Sequence, residues 1–327
     1  MLKKIKCIIL EINFKFNYLS RYIFIKENNH KIIKIKKPLI LITQIQRSGG
    51  SLISQLFDSH SEVYSYPHEL YVFDPVWNWN SDKYNFLVYK MPEMKIFAKK
   101  GIYYKNTKAK WNKAYNFNFD IYLQKYLFEK NNEINLRKKF DSFFTSFFNS
   151  YSNNSIKNNE KFVVSFTPKV NMDYKSCLKF FEIYPDGYMI NCIRHPLDWF
   201  ASANLALTKH SNINKSLNMW LLSTQNSLQL KKRFNNTILV IFEDLILNTE
   251  EIMQKISKII DIKYDKLLTS PSFNGENILS NSSFEAKTGI DKDVIYRKDK
   301  FKFNKNIDKD LVSKCLNLYE QSRKISI

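Results

Sequence analysis

The sequence predicts an α/β fold of three layers, in which helices cover both faces of a central parallel sheet. Four segments support this prediction, because each is an almost unbroken apolar run of the kind found in strands buried on both faces. Each run is followed by a segment with helical periodicity, as expected of parallel strands joined by crossover helices. The four runs are Leu39–Ile45, Phe162–Phe166, Tyr188–Ile193 and Thr237–Phe242.

The chain has 327 residues, of which 44% are hydrophobic, and this is enough apolar material for one large core. We expect a Lys-rich N-terminal extension at residues 1–37 and a single α/β domain at residues 38–327. Between residues 71 and 160 the alternation of strands and helices stops. Four phenylalanines at helical spacing, Phe143, Phe144, Phe147 and Phe148, predict a largely helical insertion there, whose aromatic face packs internally rather than binding a ligand.

The net charge of +20 does not by itself indicate a nucleic-acid partner. Only seven of the 51 basic residues are arginine, and 44 lysines stand beside 35 asparagines along the whole chain. This bias differs from the arginine enrichment typical of bidentate phosphate and base contacts. We therefore predict no nucleic-acid partner, and a generally positive surface that attracts small anions.

The sequence also lacks the usual signs of metal binding, disulfides and membrane insertion. Its four cysteines, Cys7, Cys177, Cys192 and Cys315, have no paired spacing, so we predict neither a zinc site nor a disulfide framework. There is no apolar run of 18 residues, so no membrane span is predicted. Because no small-residue cleavage site follows the basic N-terminus, we expect a cytoplasmic location.

The first motif, Gln46-Arg47-Ser48-Gly49-Gly50-Ser51-Leu52, joins the first strand to a helix. Such a turn favours an anion, because its backbone N–H groups and the helix dipole attract negative charge and its glycines allow close approach. A P-loop for Mg-ATP would carry lysine before the final serine, yet Gly50 occupies that position. The motif thus predicts a site for a phosphate-like anion, with a plain tight turn as the alternative.

The second motif follows the strand that ends at Ile193. Arg194 stands at the strand end, Pro196 suits the first turn of the next helix, and Ser202 lies eight residues after Arg194. Ligands of α/β folds bind at the carboxyl edge of the sheet, where this guanidinium and hydroxyl would lie. The alternative is an arginine exposed at a strand end and a serine on a helix surface.

Together the two motifs resemble those of the sulfotransferases that use 3′-phosphoadenosine 5′-phosphosulfate (PAPS). Arg47–Leu52 resembles the 5′-phosphosulfate loop of that family, usually Arg/Lys-Ser-Gly-Thr-Thr, and Arg194 with Ser202 resembles its 3′-phosphate motif. The resemblance covers residues 38–70 and 162–261. Weaker likenesses lie at Asp58–Val63, Tyr184–Asp186 and Phe242–Leu245.

Two departures from the family pattern affect the donor site. Gly50 replaces the usual threonine, so Ser51 is the only side-chain hydroxyl in that pair. Phe166-Thr167-Pro168-Lys169 stands where the family has Lys-Thr-Pro, which removes the lysine from its usual position.

The resemblance implies a metal-independent enzyme that moves a sulfuryl group from PAPS to a hydroxyl or amine, with a carbohydrate as one candidate acceptor. It implies that Arg47 and the loop Ser48–Leu52 hold the 5′-phosphosulfate and that Arg194 and Ser202 hold the 3′-phosphate. The acceptor proton needs a base. His68 is our first choice, because its ordinary pKa suits neutral pH, and Glu69 is the second, although either residue could instead cap a turn.

Two other functions fit the same motifs. A P-loop-like kinase would transfer a phosphoryl group, but it would need the missing lysine and a magnesium carboxylate, for which Glu243-Asp244 is the candidate. A non-catalytic nucleotide- or glycan-binding protein would keep the anion site and have no base. No motif indicates the acceptor, the oligomeric state or the role of the chain after residue 271.

Overall fold

The structure is a computed structural model that describes residues 33–70, 135–150, 159–206, 210, 212–278, 288–301 and 307–327. The chain divides into two compact units. One comprises residues 1–37 and 79–158, and the other comprises residues 38–78 and 159–327.

Eight helices and seven strands organise the described residues. The strands are β1 (Leu39–Thr43), β2 (Val63–Glu69), β3 (Phe162–Phe166), β4 (Tyr188–Ile193), β5 (Thr237–Ile241), β6 (Ser272–Phe273) and β7 (Glu276–Asn277). The α-helices are α1 (Gly50–Leu56), α2 (Leu136–Ser150), α3 (Tyr174–Ile183), α4 (Pro196–Ala206), α5 (Ile213–Arg233), α6 (Phe242–Leu247), α7 (Thr249–Ile259) and α8 (Lys309–Ile325). Short 3₁₀-helices lie at Val170–Met172, Lys266–Thr269 and Lys292–Lys300.

The centre of the larger unit is a five-stranded parallel sheet in the order β2-β3-β1-β4-β5. This arrangement confirms the predicted α/β fold, and all four predicted apolar runs form its strands. Two of the runs are shorter than expected. β1 ends at Thr43 and β5 ends at Ile241, because the next residues already belong to the turn or to helix α6.

Helices cover both faces of this sheet, which gives the predicted three layers. Helices α1, α6 and α7 pack their apolar side chains on one face, together with Ile40 and Ile42 of β1. Helices α4, α5 and α8 pack on the other face, around the buried indoles of Trp199 and Trp220. The alternation of side chains along each strand separates these two cores.

The edge strand β2 was not predicted, because Pro67 interrupts its apolar pattern. Proline lacks the N–H that a central strand needs and is therefore confined to edges and irregularities. The structure agrees with this rule, since β2 pairs only with β3 and its register shifts between Ser65 and Glu69, around Pro67. His68 and Glu69 are the last two residues of β2 and therefore lie at the carboxyl edge of the sheet.

Helix α2 lies in the smaller unit and is helical as its phenylalanine spacing predicts, while residues 71–134 and 151–158 of the predicted insertion lie outside the described residues. Its four phenylalanines are almost fully buried and contact one another ring to ring, as expected of a packing face. Thr145 and Asn149, one turn apart, bind the end of the N-terminal extension. The Ile35 N–H donates to Thr145 Oγ1 at 2.9 Å, and the Ile33 N–H donates to Asn149 Oδ1 at 3.0 Å. The extension and this helix therefore belong to one structural unit.

No helix among the described residues is both long enough and apolar enough to cross a membrane. The three cysteines in the described part of the chain, Cys177, Cys192 and Cys315, are buried free thiols. Cys7 lies outside the described residues.

Candidate functional site

The two sequence motifs meet where the direction of chain connections changes. β1 lies between β3 and β4, and the chain continues from β1 towards β2 but from β4 towards β5. In open α/β sheets this reversal leaves a crevice at the carboxyl ends of the two strands, and ligands bind there. The loop Gln44–Gly49 follows β1 and the Arg194 turn follows β4, so both motifs line that crevice.

Three bonds from other segments fix the carbonyls of the loop Gln44–Gly49. The Lys169 N–H donates to the Gln44 carbonyl at 2.7 Å. The Trp199 indole N–H donates to the Gln46 carbonyl at 2.7 Å, and Arg194 Nη1 donates to the Arg47 carbonyl at 3.1 Å. In a trans peptide the next N–H points opposite to the carbonyl, so fixing these carbonyls also orients the loop N–H groups. Oriented N–H groups are what an anion site requires.

Two loop residues adopt the left-handed backbone conformation. Gly49 has φ 95°, and a Cβ added to it would lie 2.5 Å from the ring of Phe242, so only glycine fits. Arg47 has φ 74° although it carries a side chain. Such conformations are unfavourable for non-glycine residues and are concentrated at functional sites. The geometry therefore marks Arg47 as a residue held in place by its surroundings.

Arg194 is buried, with 2% of its surface exposed. Its Nη1 bonds the Arg47 carbonyl, its Nη2 donates to the Val294 carbonyl at 2.5 Å, and its guanidinium lies 4.6 Å from the centre of the Phe242 ring. Burial lowers the pKa of Arg194 to about 10, against the opposing effect of the Glu243 and Asp198 carboxylates, so the group stays protonated at neutral pH. This burial excludes the alternative interpretation, in which Arg194 is exposed at the end of a strand.

The remaining residues of the two motifs are buried or partly buried. Ser48 is fully buried, and its hydroxyl makes no hydrogen bond within the described residues. Gly50 begins helix α1, where Ser51 and Leu52 are partly buried in the first turn. Ser202 is fully buried in helix α4, so the alternative of a serine on a helix surface is also excluded.

The two candidate bases lie at the end of β2. Glu69 pairs in register with Phe166 of β3, which pairs with Ile42 of β1, so all three residues are level across the sheet. Two strand spacings, roughly 10 Å, separate Glu69 from β1 at this level. Glu69 is partly buried, while the side chain of His68 lies outside the described part of the structure. Both residues thus belong to the carboxyl end of β2, two strands away from β1.

The C-terminal helix contributes residues that sequence analysis missed. Glu243 Oε1 accepts the His195 N–H at 3.0 Å, and the Tyr319 hydroxyl donates to Glu243 Oε2 at 2.8 Å. Arg323, one turn beyond Tyr319, pairs with Asp244 at 3.3 Å. Helix α8 therefore holds Glu243, which in turn holds the peptide next to Arg194. Only the identity of Glu243-Asp244 was visible in the sequence, and nothing in the pattern placed Tyr319 beside it.

A sequence model described as the sulfotransferase family matches residues 38–266. This chain belongs to the sulfotransferase family. The sulfotransferase domain of the olefin synthase from Synechococcus PCC 7002 has the same fold, with 15% identity and a TM-score of 0.50 over 90% of this chain and 97% of that one. A sulfotransferase domain from the curacin biosynthetic pathway is 14% identical with a TM-score of 0.49, over 88% and 98% of the two chains. No curated protein shows a significant sequence match.

One departure of this sulfotransferase from the family pattern has a visible structural basis. Phe166, which stands where the family carries the lysine of Lys-Thr-Pro, is 3% exposed and packs in the core. Lys169 instead lies beside the loop Gln44–Gly49, to which its backbone is bonded, and it too is left-handed with φ 72°. The segment after β3 therefore still contacts the first motif, but through its backbone.

The Tyr319–Glu243 bond should stabilise this sulfotransferase in a pH-dependent way. Burial raises the pKa of Glu243, and the bonds from Tyr319 and from the His195 N–H only partly offset this rise. The folded chain thus binds the Glu243 proton more tightly than the unfolded chain, so stability declines as pH rises from about 4.5 through the folded pKa. Tyr319→Phe removes the hydroxyl that donates to Glu243 Oε2. Chemical denaturation at pH 8 should show a loss of about 1.5–3 kcal/mol in the free energy of unfolding.

The same measurement near pH 4 should show a smaller loss, because low pH favours the protonated carboxyl of Glu243, which accepts a weaker bond than the carboxylate does. Tyr264→Phe provides a matched control, since the Tyr264 hydroxyl donates to Glu250 at 3.2 Å on the surface. The free energy of unfolding of Tyr264→Phe should stay within about 0.5 kcal/mol of the parent value at either pH. Equal losses for Tyr319→Phe at both pH values would contradict this account of Glu243.

Proposed function

We propose that this sulfotransferase uses PAPS as donor and transfers its sulfuryl group to a hydroxyl or amine of an acceptor, with a carbohydrate as one candidate. The observation that carries the proposal is the 3.1 Å bond from Arg194 Nη1 to the Arg47 carbonyl. This bond joins the two motifs that resemble donor-binding segments, at the crevice where α/β folds bind nucleotides. One molecule with phosphates at both ends of a ribose fits two such motifs better than a single phosphate does.

The unused polar groups of the site suit an anionic donor. A guanidinium has five N–H donors, and Arg194 spends two of them on the Arg47 and Val294 carbonyls. Its Nε and the Ser48 hydroxyl are buried and make no hydrogen bond within the described residues. A buried polar group without a partner is costly, and phosphate oxygens would satisfy both groups. We assign Arg194 to the 3′-phosphate, with Ser202, and Ser48 to the 5′-phosphosulfate.

The first motif also argues against the kinase alternative. A P-loop places a lysine where this chain has Gly50. A Cβ at Gly50 would lie 2.0 Å from the Gln44 amide nitrogen, so no lysine can be accommodated there while Gln44 keeps its position. This loop therefore suits PAPS, whose sulfuryl transfer needs neither magnesium nor that lysine, better than it suits Mg-ATP.

The proposed reaction is an in-line transfer in which this chain supplies position, charge and a base. PAPS, when bound, supplies the sulfuryl group, and the products are a sulfated acceptor and 3′,5′-bisphosphoadenosine. Arg47 and the loop N–H groups stabilise the negative charge that builds up on the 5′-phosphate as it leaves. His68, or else Glu69, takes the proton from the acceptor hydroxyl or amine. Arg194 holds the loop carbonyl and the nucleotide in one arrangement.

Binding and turnover together test this function. We expect 3′,5′-bisphosphoadenosine to bind in calorimetry without magnesium, and to bind more tightly than ATP. Radiolabelled sulfate from PAPS should appear on at least one acceptor in a panel of hydroxyl- and amine-bearing compounds that includes sugars. Preference for Mg-ATP would favour the kinase, and bisphosphate binding without transfer to any acceptor would favour the binding protein.

Arg47→Ala should reduce turnover of PAPS by about 10²-fold, the usual effect of losing one donor to a developing anion. Binding of the bisphosphate product should change less, because the charge is most useful in the transition state. Alanine keeps a Cβ in the same left-handed position, so the substitution adds no new backbone strain. Arg47→Lys should recover part of the rate. Normal turnover by the Arg47→Ala enzyme would remove this residue from the site.

A further inference from the structure

The side chain of Gln44 covers the glycine that distinguishes this loop. Gln44 is the first residue after β1 and is 3% exposed. A Cβ built on Gly50 would lie 2.0 Å from Gln44 Nε2 and 2.1 Å from Oε1. Gly50 does not have a positive φ, so its backbone does not require glycine. The Gln44 carboxamide occupies the space that a side chain at position 50 would fill, so a larger residue at position 50 would displace this carboxamide.

The backbone of Gln44 is fixed, and its buried carboxamide has hydrogen-bonding capacity to spare. The backbone of this residue is tied by the 2.7 Å bond from the Lys169 N–H to its carbonyl. Its Oε1 is buried and makes no hydrogen bond with any described residue. An amide costs free energy when it is buried without partners, so a polar partner is expected at this point.

An anion held by the loop would be such a partner. Oxygen and nitrogen of an amide are assigned rather than observed, and a half-turn of the group exchanges them without moving anything else. The Gln44 amide can therefore present N–H donors to the loop, at the position where a hydroxyl would be carried by threonine in the usual motif. An N–H donor and a hydroxyl donor are equivalent towards a phosphate oxygen.

We propose that the Gln44 carboxamide is a donor-binding group, which gives the phosphosulfate of PAPS the side-chain hydrogen bond that a hydroxyl at position 50 would otherwise give. This inference rests on the proposed function, because it takes PAPS as the ligand. It makes Gln44 and Gly50 a coupled pair in which either the amide or a hydroxyl can fill one space. Neither residue can be exchanged alone without loss.

Gln44→Met separates binding from packing, because methionine fills a similar volume and lacks the amide. We expect this variant to keep its thermal midpoint within a few degrees of the parent. Its dissociation constant for 3′,5′-bisphosphoadenosine should rise about 5- to 10-fold, the effect of losing one hydrogen bond, and kcat/KM for PAPS should fall at least as much. Gln55→Met is the matched control. Gln55 lies on helix α1, its buried Nε2 likewise makes no hydrogen bond with a described residue, and the variant should bind like the parent.

Exchange of the pair tests the shared space. Gly50→Thr alone should lose binding, because its side chain collides with the Gln44 amide. The double variant Gln44→Ala/Gly50→Thr removes the collision and restores a hydroxyl, so its bisphosphate affinity should return to within about threefold of the parent. Parent-like affinity of Gln44→Met would overturn the proposal and leave Gln44 as a packing residue, and failure of the double variant to regain affinity would overturn it as well. If the parent itself binds no bisphosphate, the proposed function fails and this inference fails with it.

Discussion

Replacing Arg194 with alanine is expected to cost this sulfotransferase both stability and donor binding. The substitution leaves the Arg47 and Val294 carbonyls without their donor and removes the cation from the Phe242 ring. A hydrogen bond to a charged group contributes about 1.5–3 kcal/mol, so the free energy of unfolding should fall by at least that amount. Affinity for 3′,5′-bisphosphoadenosine should fall by about 10- to 100-fold, measured by calorimetry at a temperature where the variant is still folded.

Comparison with a second ligand separates the two roles of Arg194. Adenosine 5′-phosphosulfate lacks the 3′-phosphate, so its affinity should fall only through the loosened loop and hence less than that of the bisphosphate. Arg233→Ala is the control, because Arg233 also lies over a phenylalanine ring but is exposed at the end of helix α5. It should leave both affinities unchanged. Equal losses for the two ligands in Arg194→Ala would mean that Arg194 only supports the loop.

The largest effect on turnover is expected at the base. If His68 takes the acceptor proton, His68→Ala should lower kcat by about 10²–10⁴-fold while bisphosphate binding stays nearly intact. The acidic limb of the pH–rate profile should disappear with it. If Glu69 is the base, Glu69→Gln should show this loss of kcat and of the acidic limb, and the His68 variant should keep its activity.

His60→Ala supplies the control for loss of a structural histidine. His60 is 3% exposed, and its ring is held by the Lys263 carbonyl and the Glu62 N–H. This variant should lose stability but keep the shape of the pH–rate profile. Full activity in both the His68 and Glu69 variants would exclude both residues, and the base would then lie elsewhere in the chain.

The sequence predicted the parts of this fold whose chemistry is local. Strands buried on both faces must be apolar, so β3 and β4 were placed at their observed bounds, and the glycines marked the first turn. Edge strand β2 was missed because Pro67 interrupts the pattern that identifies a strand. The part played by Tyr319 could not be predicted, because an ordinary amphipathic helix gives no sign of the distant carboxylate that one of its side chains meets.

In the candidate site, too, the sequence predicted the local features and not the contacts made by folding. Arg47, Arg194 and the loop between Ser48 and Leu52 follow from strand-to-helix turns and were found in the sequence. The fit between Gln44 and Gly50 depends on a side chain folding back over its own loop, and only coordinates show such a contact. A missing hydroxyl was readable from the sequence, whereas the group that fills its space was not.

The loop Gln44–Gly49 has a consequence for the order in which the protein becomes active. Its partners Trp199 and Arg194 stand 153 and 147 residues away in the chain, and Lys169 is also distant. Contacts between such remote segments form late and slowly, because the intervening chain must be ordered first. A nascent or partly unfolded chain can therefore contain β1 and its glycines without an organised anion site. Under the proposed function, affinity for the nucleotide should emerge only when β1, β3 and β4 have assembled, so binding of 3′,5′-bisphosphoadenosine should report that assembly.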